Sequence, residues 1–150
     1  MPNKFIYPAE PLRPAPKLLP PAGGKFPEFP TNSVWFTHDP AIYHDPVTKD
    51  YFLYCTGARC MRSHDMITWE TLKQAVEEPP KEAINWTDSK AIWAPDIVKV
   101  GDEYRLYCSN SSFGVQQSCI FLAVSDKAEG PFIPRGVVLK SSDRLKVNAI

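Results

Sequence analysis

The sequence predicts an all-β fold assembled from propeller-type blades. Three observations carry that prediction. Short β-rich runs alternate with turn residues, and helical periodicity is nowhere sustained. The run YRLYCS at 104–109 echoes YFLYCT at 51–56, an offset of 53 residues. Each echo sits inside a group of four candidate antiparallel strands, over residues 38–72 and 93–140. Repeated four-stranded units at such a spacing are the signature of blades, which cannot bury both faces alone.

In chain order, residues 1–33 come first and read as a proline-rich arm. Pro8, Pro11, Pro14, Pro16, Pro20 and Pro21 bar both a helix and a central strand there. Residues 34–150 then read as a partial propeller domain. The stretch Thr37-His38-Asp39-Pro40-Ala41-Ile42-Tyr43 sets a carboxylate at the head of an apolar strand. Pro40 biases Asp39 toward an extended conformation. Turn residues at 44–50 lead into a second strand at 50–57, which forms a hairpin with the first. Residues 59–63 form a third strand, His64-Asp65-Met66 a turn, and 68–72 a fourth.

Residues 73–90 are polar, contain Pro79-Pro80, and read as a long connection in which Trp86 needs somewhere to pack. The second unit starts with Trp93-Ala94-Pro95-Asp96-Ile97. Gly101-Asp102 supplies a two-residue turn. Residues 104–109 and 118–125 follow as strands, with Ile120, Leu122 and Val124 on one face. Gly130-Pro131-Phe132 turns into a last strand ending near Leu139. Asn148-Ala149-Ile150 reads as the start of a third blade, near residue 147. Two blades do not close a ring, so further blades in a longer chain, or a covering partner, are expected.

Composition narrows the function classes. A length of 150 residues suits one domain. Seventeen basic and seventeen acidic residues cancel, which argues against a nucleic-acid or anionic-membrane surface. An uncharged ligand suits that balance. No basic-then-apolar leader and no stretch of transmembrane length stands in the sequence, which reads as cytoplasmic as written, or secreted if the true N-terminus differs. Cys55, Cys60, Cys108 and Cys119 lack metal-ligand spacing. They read as small buried apolar residues, with a disulfide as the alternative.

His38-Asp39-Pro40, Trp93-Ala94-Pro95-Asp96, Ser112-Phe113-Gly114, Gly130-Pro131-Phe132 and Asn148-Ala149-Ile150 occur in an order that resembles glycoside hydrolase family 43. The resemblance runs from about Thr37 to Ile150 and is nearest to the endo-α-1,5-L-arabinanase group. It implies a five-bladed β-propeller that hydrolyses arabinan with inversion, using three acids at the central axis. It assigns the general base to Asp39. The second Asp falls immediately after Ile150, and the general-acid Glu in a later blade. It also assigns Trp93, Phe113 and Asn148 to the substrate site, with His38 beside the base. The residues themselves leave Trp93 and Phe113 open between sugar platform and core, and His38 between orienting Asp39 and a structural role. Asp96 reads as supporting its strand by hydrogen bonds. The resemblance implies no catalytic cofactor, and admits a structural calcium at the axis with ligands not identifiable here.

Two further readings stand beside the hydrolase: a non-catalytic carbohydrate-binding or remnant propeller piece, and the related invertase and fructanase propellers. The latter carry an Asn-Asp-Pro motif, and His38 stands where the Asn would be. With one acid of three present, the 150 residues alone are expected to be inactive.

Overall fold

The computed structural model describes residues 37–141. They lie within one compact unit, Asn32–Ile150. The proline-rich arm and the third-blade start near 147 lie outside the described residues.

Two four-stranded antiparallel sheets make up the architecture, each a simple meander. The first runs β1 (Ala41–His44), β2 (Tyr51–Cys55), β3 (Arg59–Ser63) and β4 (Glu70–Thr71). The second runs β5 (Trp93–Val100), β6 (Glu103–Ser111), β7 (Ser118–Ser125) and β8 (Ile133–Lys140). β4 is shorter than the expected 68–72 because Asp65 holds that segment as a turn. Its Oδ1 accepts the N–H groups of Ile67 and Thr68, each at 2.8 Å.

The turns follow from side-chain chemistry. Between β1 and β2, the Asp45 carboxylate accepts the Thr48 N–H at 3.0 Å and the Thr48 hydroxyl at 2.9 Å. Between β5 and β6, Gly101 adopts φ 61°, and Val100 pairs with Glu103 across the two-residue turn.

The core is the joint between the two sheets. Phe52 and Tyr54 of β2 are buried there together with Tyr104, Leu106 and Cys108 of β6. These buried positions have opposite parity under the 53-residue echo. Leu106 is fully buried, whereas its counterpart Leu53 is half-buried; Phe52 is buried, whereas its counterpart Arg105 is not. Successive blades in one orientation must behave this way, since they turn opposite faces to the joint they share. Phe121 and Ala123 of β7 complete the core from the second sheet, Phe132 from just before β8, and Ala75 and Val76 from the connection. The Tyr54 hydroxyl donates to the Ala128 carbonyl across the joint.

The connection contains an element the sequence reading lacked: α1 (Lys81–Thr87). It ends at Asp88, in a left-handed conformation at φ 52°, whose N–H returns to the Ile84 carbonyl. Trp86 finds its packing on the second sheet. Its indole N–H donates to the Ser118 carbonyl at 3.2 Å, and Lys140 Nζ lies 5.5 Å from the ring centroid. Thr87 and Asn110 close a buried polar cluster, in which Asn110 Nδ2 donates to the carbonyls of Ser89 and Ala91.

Candidate active site

The candidate residues gather where β1 and β5 begin. Asp39 stands two residues before β1, with its side chain 41% exposed. Its backbone is not extended as the Asp-Pro order predicts: φ is 53°. Asp tolerates positive φ better than most residues. Here two hydrogen bonds hold the carboxylate in place. His38 Nδ1 lies 2.8 Å from Asp39 Oδ2, and the Thr56 hydroxyl donates to the same oxygen at 2.9 Å. A carboxylate only accepts, so the His38 tautomer with hydrogen on Nδ1 makes its bond. The His38 side chain is 82% exposed, so it flanks the acid in solvent rather than packing beneath it.

Thr56 is the residue that sequence reasoning missed. The hairpin register pairs Ala41 with Tyr54, which sets residue 56 opposite residue 39. That register was the available signal. The Thr56 N–H donates to the His38 carbonyl at 2.9 Å, continuing the ladder beyond β1. The Thr56 hydroxyl also accepts the Ala94 N–H of β5 at 3.3 Å. Ala94 adopts φ 42° within an irregular stretch of β5, where the register shifts between Trp93 and Asp96. That kink turns the Ala94 amide toward the first sheet. Gly57 adds a backbone bond to the Ile92 carbonyl at 2.7 Å. The two sheets are thus joined directly beneath the candidate base.

Trp93 and Phe113 come together, with ring centroids 6.4 Å apart and planes tilted by 53°. Trp93 is half-buried. Phe113 is 94% exposed, which removes the core alternative for it. Asp96 is exposed, and its Oδ1 accepts the Ile97 N–H at 3.0 Å, a local strand contact. Asn148 lies outside the described residues. Among the described residues no group of three or more His, Cys, Asp or Glu side chains is arranged to hold a metal ion, so none is assigned to an axial calcium.

A solvent-reaching carboxylate before β1, with a tilted aromatic pair at the head of the adjoining β5, is chemistry suited to a polyhydroxylated ligand. Comparison with known proteins makes the class specific. Residues 30–150 match the model of glycosyl hydrolases family 43, and the chain belongs to that family. It is 31% identical over 133 residues to an extracellular endo-α-(1→5)-L-arabinanase of Thermotoga petrophila, covering 81% of this chain and 28% of the relative. It is 48% identical over 117 residues to a probable arabinan endo-1,5-α-L-arabinosidase A of Aspergillus flavus, covering 75% of this chain and 36% of the relative. The structure of a Cellvibrio cellulosa α-L-arabinanase complexed with arabinohexaose superimposes with a TM-score of 0.63 at 25% identity, over 72% of this chain and 36% of that one. The chain therefore spans about a third of the length of these relatives.

The cytoplasmic placement expected from the sequence finds no support, since the Thermotoga relative is named extracellular. No helix among the described residues is long and apolar enough to cross a membrane.

Proposed function

We propose that this chain supplies the first two blades of a five-bladed propeller that hydrolyses α-L-arabinofuranosyl linkages of arabinan with inversion, outside the cell. Asp39 is the general base. The observation that carries this reading is the position of its carboxylate: at the head of the first strand, open to solvent, and held among the described residues through Oδ2. Oδ2 takes the bonds from His38 and Thr56, and Oδ1 is the oxygen that faces the water in this reading. An inverting glycosidase places such a base across the sugar from its general acid, with carboxyl groups roughly 6.5–9.5 Å apart and a water between. Strand heads converging on one axis suit that separation. In this reading the general acid and the second Asp lie beyond Ile150, as the family resemblance implies. Trp93 and Phe113 form an apolar platform for the sugar ring, His38 orients the base, and Asn148 lines the pocket. No catalytic cofactor is required.

The test is Asp39→Asn in a polypeptide that continues this chain to the length of the family's catalytic domain. An amide cannot accept the water's proton, so turnover on linear arabinan falls by about 10²- to 10⁴-fold with the melting temperature unchanged. Near-unchanged turnover removes Asp39 from the role.

A further inference from the structure

We infer that Thr56 is a positioning residue for the base, acting as an obligatory donor that aims the Asp39 carboxylate. The inference rests on the general-base reading of Asp39. A threonine hydroxyl has one hydrogen to give and lone pairs to accept with. At Thr56 the accepting role is already taken, because the Ala94 N–H points into the hydroxyl oxygen at 3.3 Å. A backbone N–H can only donate. That directs the single hydroxyl hydrogen away from Ala94 and onto Asp39 Oδ2 at 2.9 Å.

The polarity of this relay is therefore set by the backbone of the second sheet, through the kinked strand head at Ala94. Its mechanical consequence is that a carboxylate on the first sheet takes its orientation from both sheets at once. With Oδ2 engaged by Thr56 and His38, rotation of the carboxylate is restrained and Oδ1 keeps one direction toward the water. His38 alone does not provide this restraint, because its ring is largely in solvent. Thr56 is held by its own N–H to the His38 carbonyl and by the neighbouring Gly57–Ile92 bond. Geometry fixed by such contacts matters in catalysis, because small misplacements of a reacting group cost large factors in rate.

The experiment uses Thr56→Val and Thr56→Ser in the same extended enzyme, alone and combined with Asp39→Asn, with kcat and KM measured on linear arabinan. Thr56→Val keeps the shape and removes the donor. It lowers kcat on the order of 10- to 100-fold with KM little changed. Thr56→Ser, which keeps the hydroxyl, restores most of the turnover. In the Asp39→Asn background, Thr56→Val has no further effect, because the residue acts only through that carboxylate. Wild-type turnover in Thr56→Val, or an equal loss in both backgrounds, overturns the inference. If Thr56→Val does not fold, Thr56→Ala removes the same hydroxyl without the branched methyls and carries the same expectation. Failure of both to fold, with Thr56→Ser normal, makes Thr56 structural and overturns it as well. Should Asp39→Asn itself retain turnover, the general-base assignment falls and takes this inference with it. If Asp39→Asn is inactive and Thr56→Val is fully active, only the Thr56 inference falls.

Discussion

The phenol of Tyr104 donates to the buried carboxylate of Asp45 at 2.6 Å, across the joint between the two sheets. Asp45 is only 1% exposed. Burial pushes its carboxyl up, but the bonds from Tyr104 and Thr48 outweigh burial and hold it below the ordinary carboxylate range. Burial first, and then Asp45 itself, pushes the Tyr104 phenol up to about 12. The pair ties the end of β1 to the start of β6, at the opposite end of β1 from Asp39.

Tyr104→Phe takes one donor from a buried carboxylate while keeping the ring. The expected cost is about 1–3 kcal/mol at neutral pH. The pH dependence has a definite sign. Because the folded-state pKa of Asp45 is depressed, its contribution is present above the ordinary Asp value near 3.9 and is lost as pH falls through the depressed one. The raised phenol works at the other extreme: its contribution is complete below the ordinary Tyr value near 10 and fades as pH rises toward 12. Urea unfolding midpoints of wild type and Tyr104→Phe therefore diverge most in the neutral range and converge toward both ends. A constant gap across the whole range would contradict the assignment.

The aromatic pair separates binding from stability. Phe113→Ala changes stability by no more than about 0.5 kcal/mol, because an almost fully exposed ring contributes little to the core. Trp93→Ala costs more stability, since that ring is half-buried. In an extended enzyme each substitution weakens arabino-oligosaccharide binding by about 0.5–1.5 kcal/mol. Calorimetric titration beside thermal melts checks this. Unchanged affinity with a lowered melting temperature would make Trp93 a packing residue only.

The strands were legible because their signals are local. The bounds of β3 and β7 follow from short β-rich runs closed by turn residues, and the blade repeat follows from the echo between Tyr51 and Tyr104. Features that depend on contacts between segments were not legible. The α1 helix is seven residues long, too short to show a period, and lies behind Pro79-Pro80. Only the spacing of Ala83, Trp86 and Thr87 hints at it. The pre-proline rule misjudged Asp39, because hydrogen bonds from His38 and Thr56 hold it where local sterics alone would not. Thr56 takes its role from strand register and from an amide on the other sheet. Parity of burial, the difference between Leu53 and Leu106, appears only once the two sheets face each other.

The four thiols are expected to be inert in the folded chain. Cys55, Cys60, Cys108 and Cys119 are all free and buried. Burial pushes Cys60 and Cys108 up to about 12, so neither offers a thiolate at pH 8. A disulfide-exchange reagent at pH 8 then modifies none of the four within minutes, and all four after unfolding in urea. Rapid stoichiometric modification of the native chain would contradict this packing.

Purified residues 1–150 are expected neither to hydrolyse arabinan nor to remain monomeric. Inversion needs an acid to protonate the leaving oxygen as well as a base to activate water. In the proposed function Asp39 fills only the second role, and loss of a general acid typically costs a factor of about 10² to 10⁴. Association follows from strand register. The core side of the second sheet carries Leu106 and Phe121, so the alternate positions face the other way. Pairing across the ladders groups Val98 with Arg105, Tyr107 with Leu122, and Ile120 with Leu139 on that far face. Val98 is 44% exposed, Ile120 38% and Leu139 61%. A sheet face with this much exposed apolar surface, bounded by β5 and β8 as its edges among the described residues, favours contact with a second copy. Reducing-end release from linear arabinan reads the first expectation, and sedimentation velocity over a concentration series reads the second. A surface-charge substitution, Leu139→Lys, disfavours that contact and shifts the distribution toward monomer without restoring turnover. A wild-type chain that sediments as a monomer at every concentration and releases reducing ends from arabinan would overturn both the open-face argument and the incomplete-site argument.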